Sequence, residues 1–342
     1  MEWTRGRTIG RGSSATVPAA TCHKSGEIIA VKSAELSRLD LLQREAKILS
    51  SLNSPYVVGY RGWEITKEPC GATTSNLLME YAPYGTVAEA AAKNNGGGGG
   101  LDESLIVKYT RQILRGLEYL HSKGITHCDA KGSNVLIGKN GHAMIADFGC
   151  AKRVDSSEPI RGSPAFMSPE AARGEKQGKE SDIWAVACTV IEMSTGSPPW
   201  TADYGDPVTV IYRVGYSGES PEIPRFLTEQ AKDFLEKCLK REPEERWTAR
   251  QLLNHPFVAK PPDAEPGPIT GPTSNSPTSV VDQLFWRSVE EEEEDLDRSS
   301  RWASHEERIG RLKWAGFEGP TWDLECGDWA TVRERLGHIV SR

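Results

Sequence analysis

The run His127-Cys128-Asp129-Ala130-Lys131-Gly132-Ser133-Asn134 is followed, thirteen residues after Asn134, by Asp147-Phe148-Gly149. Together they supply the side chains that phosphoryl transfer requires. In that chemistry an aspartate takes the proton of the attacking hydroxyl, an asparagine five positions on holds magnesium, and a second aspartate holds magnesium against the phosphates. Asp129, Asn134 and Asp147 stand in that order and at that spacing. Either motif alone is a weak signal, whereas the two in the right order set a chance match aside. Apolar residues lead into both, Ile125 before the first and Ala143-Met144-Ile145-Ala146 before the second. The polar groups are therefore expected on loops at strand ends, where a rigid scaffold presents chemistry.

The preceding residues read as the elements that position such a site. Ile9-Gly10-Arg11-Gly12 and the β-prone run through Val17 predict a hairpin whose backbone can approach phosphates, because glycine has no Cβ in the way. Ala15 stands where a third glycine is usual and keeps the position small. Val17 would cover the base of a nucleotide, and Lys32, arriving on the next strand in Ala30-Val31-Lys32, would reach its phosphates. Leu41, Leu42, Ile48 and Leu49 have the spacing of an amphipathic helix, with Glu45 at the edge of the apolar face as a partner for Lys32. Tyr56–Tyr60 and Asn76–Ala82 are expected to be strands. The second carries Met79 to the back of the nucleotide pocket and the backbones of Glu80 and Ala82 to the base. Pro83-Tyr84-Gly85 then suits a hinge. Asn94 to Gly100 reads as a flexible surface loop, and Leu101 to His121 as a helix capped by Asp102 or Ser104 and stopped by Gly124.

The chain of 342 residues suits a two-lobed catalytic domain plus an extension. Its seven cysteines are scattered, with no C-x-x-C, which argues against a disulfide framework and structural zinc and fits a reducing cytoplasm or nucleus. A net charge of −7 leaves no basic footprint for nucleic acid. No apolar run is long enough for a bilayer and no signal-peptide core follows Met1, so a soluble protein without membrane contact is expected.

Residues 3 to 258 resemble a complete eukaryotic protein kinase domain. Gly162-Ser163-Pro164-Ala165-Phe166-Met167-Ser168-Pro169-Glu170 resembles the segment that closes the activation loop. Ser181 to Cys188 resembles the helix that anchors the catalytic loop, and Arg246 the arginine that pairs with the glutamate here numbered 170. The resemblance implies an α+β fold of two lobes, a β-rich N-lobe (about 3–82) and a mainly helical C-lobe (83–258), with ATP and Mg2+ in the cleft. It gives Asp129, Lys131, Lys32 and Glu45 catalytic roles. Ile9, Gly10, Gly12, Val17, Ala30, Lys32, Met79, Glu80 and Ala82 would bind the nucleotide, and Asn134 and Asp147 the metal. Lys131, two residues after Asp129, is the serine/threonine-type signature, and Ser163 would use its hydroxyl to tie its segment to Asp129.

Trp3 to Ser13, the His-Cys-Asp loop, the block ending at Glu170, and Glu192-Met193-Ser194-Thr195-Gly196 with Pro198-Pro199-Trp200 are similar to the plant MEKK-like MAP kinase kinase kinases. Such an enzyme phosphorylates the activation loop of MAP kinase kinases in a stress or hormone signalling cascade. Another serine/threonine kinase such as a Ste20-like one, a pseudokinase that binds partners without catalysis, and a scaffold are the alternatives. Cys128 stands where many kinases place an arginine that grips a loop phosphate; a thiol makes no such charge-assisted bond, so weak dependence on loop phosphorylation is expected. Cys150 reads as a small inert thiol rather than a redox handle.

From residue 259 to 285 a Pro/Ser/Thr-rich linker is expected. Residues 286–342 carry the acidic run Glu290 to Asp295 and then Trp302, Trp314, Trp322 and Trp329. They read either as a largely disordered tail or as docking motifs for a partner.

Overall fold

The computed structural model describes residues 2–12, 15–67, 73–93, 99–200 and 206–259. All belong to the first of two compact units, residues 1–282. The readings of the linker, the acidic run, the tail tryptophans and Asn94 to Gly98 lie outside the described residues.

Five strands open the chain: β1 (Trp3–Arg11), β2 (Thr16–Cys22), β3 (Ile28–Glu35), and, after helix α1 (Leu39–Ser50), β4 (Tyr60–Lys67) and β5 (Thr73–Glu80). They form one antiparallel sheet in the order β1-β2-β3-β5-β4. Alternation along β3 sorts its side chains. Ile29 and Val31 pack with Ala20 and Leu78 on one face, while Ala30 joins Ile9 and Val17 on the other. Because successive strand residues point to opposite faces, Lys32 falls on the same side as Ala30, the side that faces the cleft. Helix α1 packs on this sheet through Leu42, Ala46 and Leu49, with Glu45 buried in the same stripe.

The remainder is mainly helical: α2 (Val87–Lys93), α3 (Glu103–Ser122), the short strands β6 (Ile125–Thr126), β7 (Val135–Ile137), β8 (Ala143–Ile145) and β9 (Lys152–Arg153), then α4 (Pro169–Ala172), α5 (Lys179–Thr195), α6 (Pro207–Tyr216), α7 (Glu229–Cys238), α8 (Ala249–Leu252) and α9 (Pro256–Ala259). Helix α5 is buried at every position from 181 to 194 and is the axis against which α3 and α7 pack. Its buried polar residues, Asp182, Thr189 and Glu192 among them, therefore need partners within the protein.

Three local expectations change. The run Tyr56–Tyr60 is not a sheet strand: Val58 donates to the Ile145 carbonyl and Ile145 to that of Tyr56, both at 2.9 Å, so these β-branched residues bridge to β8. The strand begins at Tyr60 and runs on to Lys67 through half-exposed residues with no apolar run to announce it. The approach is close enough that α3 needs Gly116, where a Cβ would lie 2.9 Å from the Tyr56 carbonyl oxygen. Helix α3 starts at Glu103, and its N-cap Asp102 makes no side-chain capping bond.

Candidate active site

Three charged groups meet between the sheet, α1 and the Asp147 turn. The Lys32 Nζ donates to Glu45 Oε2 at 2.8 Å and to Asp147 Oδ1 at 2.9 Å. Strand β3 delivers the lysine and α1 the glutamate. Asp147 is held in the left-handed region, φ 61°, where its Oδ1 also accepts from the Gly149 amide. Glu45 spends its other oxygen on the Phe148 amide at 3.2 Å, so the helix, the lysine and the turn lock one another. Burial alone would push the Lys32 ammonium down, but the Asp147 and Glu45 carboxylates overcome it and hold the group protonated well above its ordinary range. Burial would likewise raise Asp147, and the neighbouring Lys32 overcomes that and keeps it ionised.

A second cluster sits on the loop after β6. Asp129 Oδ2 accepts from Asn134 Nδ2 at 2.9 Å and lies 3.3 Å from Lys131 Nζ, while its Oδ1 accepts from the Ser163 amide at 2.9 Å. Ser163 therefore ties its segment to Asp129 through the main chain; its hydroxyl accepts from Lys131 Nζ at 2.6 Å instead. Gly162 allows this approach: at φ 122° a Cβ there would lie 2.4 Å from the Cys128 carbonyl oxygen.

The loop itself is fixed by α5. Asp182, fully buried, accepts the His127 amide at 2.9 Å, the Cys128 amide at 2.8 Å and His121 Nε2 at 2.8 Å. Thr189 donates to the Ala130 carbonyl at 3.0 Å, and Glu192 Oε2 accepts the Gly132 amide at 3.0 Å. Positions 182, 189 and 192 share one face of the helix, so one side of α5 reads out the loop from residue 127 to 132. Cys128 is thereby held at φ 68°, which a non-glycine residue rarely adopts. Its thiol is buried and pushed up by that burial and by Asp182. Cys150 is half-buried, and burial followed by Asp129 and Asp147 raises its thiol too.

Ile9, Val17 and Ala30 form an apolar cluster against Tyr81, and Met79 pairs with Ala30 across β3 and β5. Gly10 pairs with Val17, and the Gly12 amide donates to the Ala15 carbonyl at 2.8 Å; residues 13 and 14 at the tip lie outside the described set. The Glu80 amide is taken by the Gly59 carbonyl at 2.8 Å. Asn134 Oδ1 and Asp147 Oδ2 engage no described protein donor. Among the described residues no three His, Cys, Asp or Glu gather as a metal cage. The donor set thus fits a hard cation held by two protein oxygens, with water and phosphate oxygens completing its shell, as magnesium prefers.

Sequence reading gave Glu192 and Thr189 no role, although two polar residues in a run of apolar helix were a signal. It also passed over Glu158, whose carboxylate pairs with Arg44 on α1, the neighbour of Glu45. Arg44 further donates to the Ala151 carbonyl at 3.1 Å.

The protein kinase domain model matches residues 3–258. Mitogen-activated protein kinase kinase kinase 18 of Arabidopsis thaliana is 68% identical over 97% of this chain and 99% of its own length. Mitogen-activated protein kinase kinase kinase 17 of the same plant is 65% identical over 100% of this chain and 95% of its own. Mitogen-activated protein kinase kinase kinase A of Dictyostelium discoideum is 32% identical over 81% of this chain but 30% of its own length.

Proposed function

The chain belongs to the protein kinase family, and we propose that it works as a plant-type MAP kinase kinase kinase, transferring the γ-phosphate of ATP to serine or threonine hydroxyls of MAP kinase kinases. It is a serine/threonine protein kinase; the observation that carries activity is the assembled Lys32–Glu45–Asp147 cluster at 2.8 and 2.9 Å. Catalytic roles follow from the contacts. Lys32, kept protonated, offers its remaining N–H to phosphate oxygen, and Glu45 holds it in place. Asp129 orients the acceptor hydroxyl and takes its proton. Lys131, between Asp129 and Ser163, carries positive charge to where the phosphoryl group moves. ATP with magnesium would supply the phosphoryl group and the charge neutralisation, with Asn134 and Asp147 as the protein ligands. Ile9, Val17, Ala30 and Met79 would enclose the base.

The intact cluster speaks against a partner-binding domain without catalysis, and no comparison favours a Ste20-like enzyme. Cytoplasmic and nuclear localisation is part of the proposal and rests on the scattered cysteines. No helix among the described residues is long and apolar enough to cross a membrane.

The test is phosphate transfer from labelled ATP by the full-length protein to a panel of catalytically dead MAP kinase kinases, with Asp129→Asn as control. Labelling of an activation-loop serine or threonine, absent in the control, is the expected result. Labelling of a generic substrate but of no MAP kinase kinase would remove the cascade assignment and leave the kinase. No transfer at all would remove both.

A further inference from the structure

Helix α3 gathers positive charge on its outer side without neutralising it. Arg111 and Arg115 stand at i, i+4, where like charges repel, and the only acids on the helix are Glu103 and Glu118. Arg111, Arg115 and Glu118, Arg250 of α8, and the rings of Tyr56 and Tyr119 line an open concavity of about 530 Å³. Among the described residues lining it, Glu118 is the one carboxylate. Three arginines less one glutamate leave a local charge of +2 on a chain whose formal charge is −7.

The arginines are held in place and yet have donors to spare. Arg115 Nη1 donates to the Tyr56 hydroxyl at 3.0 Å, and its guanidinium lies over that ring, 5.6 Å from the centroid. Arg111 Nη1 donates to the Ala259 carbonyl at 3.4 Å, and Arg250 sends Nε and Nη2 to one oxygen of Glu118 at 3.3 and 3.1 Å. A guanidinium has five N–H donors, and these partners take one from Arg111, one from Arg115 and two from Arg250. The Arg250–Glu118 pair is readily exchanged, because the arginine side chain is 81% exposed. Positioned forks with free donors match phosphate oxygens in pairs, and their prior ordering lowers the entropy cost of binding.

The surroundings select what carries the phosphate. A phosphoserine or phosphothreonine brings nearly two negative charges at neutral pH, which matches the local excess. A membrane surface is read by clusters of about four to eight exposed cations, whereas three sit here around a concavity. A base needs an open aromatic face, and both rings already carry a cation, Arg115 over Tyr56 and Lys123 over Tyr119 at 5.8 Å. The concavity is far larger than one phosphate, and Leu253 and Asn254 offer an apolar and a hydrogen-bonding wall for flanking residues. We propose that it binds a phosphorylated peptide segment of a partner protein, whose phosphoserine or phosphothreonine is gripped by Arg111, Arg115 and Arg250. The site shares no residue with the Lys32 cluster or the Asp129 loop, so it recruits a phosphoprotein while the cleft stays free. This inference stands independently of the cascade assignment.

The experiment titrates full-length protein, its cleft saturated with an ATP analogue, into a labelled pool of short peptides and reads fluorescence anisotropy. The peptides carry a central phosphoserine or phosphothreonine between degenerate flanks, and the same pool without phosphate is the control. Binding of the phosphorylated pool alone is expected. Arg111→Gln/Arg115→Gln should raise Kd about tenfold or more, as charge-assisted hydrogen bonds are lost, and the exposed Arg250→Gln about threefold. Glu118→Gln should lower it about threefold, because it frees Arg250 and removes a competing carboxylate. Phosphorylation of a generic substrate should stay within about twofold in every variant, which shows the fold and the cleft intact. No binding up to about 1 mM, equal binding with and without phosphate, or one Kd shared by the unaltered protein and all three variants would overturn the proposal. Competition by inorganic phosphate or by phosphoinositide vesicles as strong as by the pool itself would give the site to a free anion or a lipid surface and overturn it too. So would binding that appeared only once residues 260–342 were removed, since the chain's own tail would then be the occupant.

Discussion

Two ion pairs, each a cation set against a carboxylate, do opposite jobs. Arg246 is closed on all sides: its Nη1 and Nη2 donate to the two oxygens of Glu170 at 2.7 Å, and its remaining donors reach the carbonyls of Lys240, Glu180 and Arg241. All five guanidinium N–H groups are used, and the side chains of the pair are 0% and 4% exposed. Lys32 engages two of its three donors and Asp147 one of its two oxygens, with side-chain exposures of 15% and 39%. A saturated pair can only hold structure together. An incomplete one, poised at a cleft, can exchange its free valences for phosphate and metal, and that surplus is what distinguishes a site from a strut.

Single substitutions should separate the two. Asp147→Asn is expected to lower kcat by about a thousandfold or more, since removing a positioned charge-stabilising group costs that order, while its unfolding midpoint moves by no more than a few degrees. Arg246→Ala leaves the Glu170 carboxylate buried without its cation, a change worth about 3–5 kcal/mol, or roughly 10 °C in midpoint for a domain of this size. Its folded fraction should retain kcat within about threefold at low temperature. Transfer rates under saturating nucleotide, read beside thermal unfolding, would dissolve the distinction if Asp147→Asn mainly unfolded the protein or Arg246→Ala mainly silenced it.

This division was partly legible in the sequence. Lys32, Glu45, Asp129, Asn134 and Asp147 announce themselves because chemistry fixes both residue type and spacing, whereas the Glu170–Arg246 pair came from the family resemblance alone. The contacts from Thr189 and Glu192 to the loop at 130 and 132 join residues some sixty positions apart, and nothing local marks them except polarity inside an apolar helix. Strand β4 was hidden because its side chains are half-exposed. The β-branched pair Val57-Val58 looked like a strand since β propensity reports a fit to a pleated, half-buried surface and not a partner. Ser163 was assigned the right neighbour through the wrong atom, because a hydroxyl can be seen in a sequence and a free amide cannot.

Glu192 extends the contrast to a buried acid without a cation. Among the described residues its carboxylate takes only the Gly132 amide. Burial pushes it up from an ordinary 4.5 to about 7, the Gly132 bond and Lys131 offsetting this only in part. A carboxyl raised in the folded state favours folding fully below its unfolded value, and that contribution is lost as pH rises through the folded one. Glu192→Gln keeps an oxygen for the Gly132 amide and removes the titration. The variant should therefore gain on the unaltered protein as pH climbs from about 4.5 to 7, by up to about 3 kcal/mol at neutral pH and above. Denaturant unfolding across pH 5 to 8 checks this. A difference independent of pH would mean that Glu192 is ionised in the fold and belongs with the paired acids.

The smallest expected effect concerns what keeps the incomplete pair assembled. Arg44 precedes Glu45 on α1 and pairs with Glu158, so a carboxylate from the segment after β9 holds the helix that holds Lys32. Cys128 has its amide on Asp182 and its thiol directed at the Thr126 carbonyl, and offers a loop phosphate no cation. In this arrangement Glu158 supplies the negative charge at α1 without modification. Both side chains are about one-third exposed, which limits such a pair to about 1 kcal/mol, or roughly fivefold if the loss falls on the active arrangement. Arg44→Glu and Glu158→Arg should each lower kcat by about that factor, and the double reversal should restore most of it. Ser156→Ala with Ser157→Ala should leave kcat within about twofold. Collapse of activity in the serine variant would show that phosphate, and not Glu158, completes the cluster, while a double reversal no better than either single change would detach the Arg44 pair from Lys32 altogether.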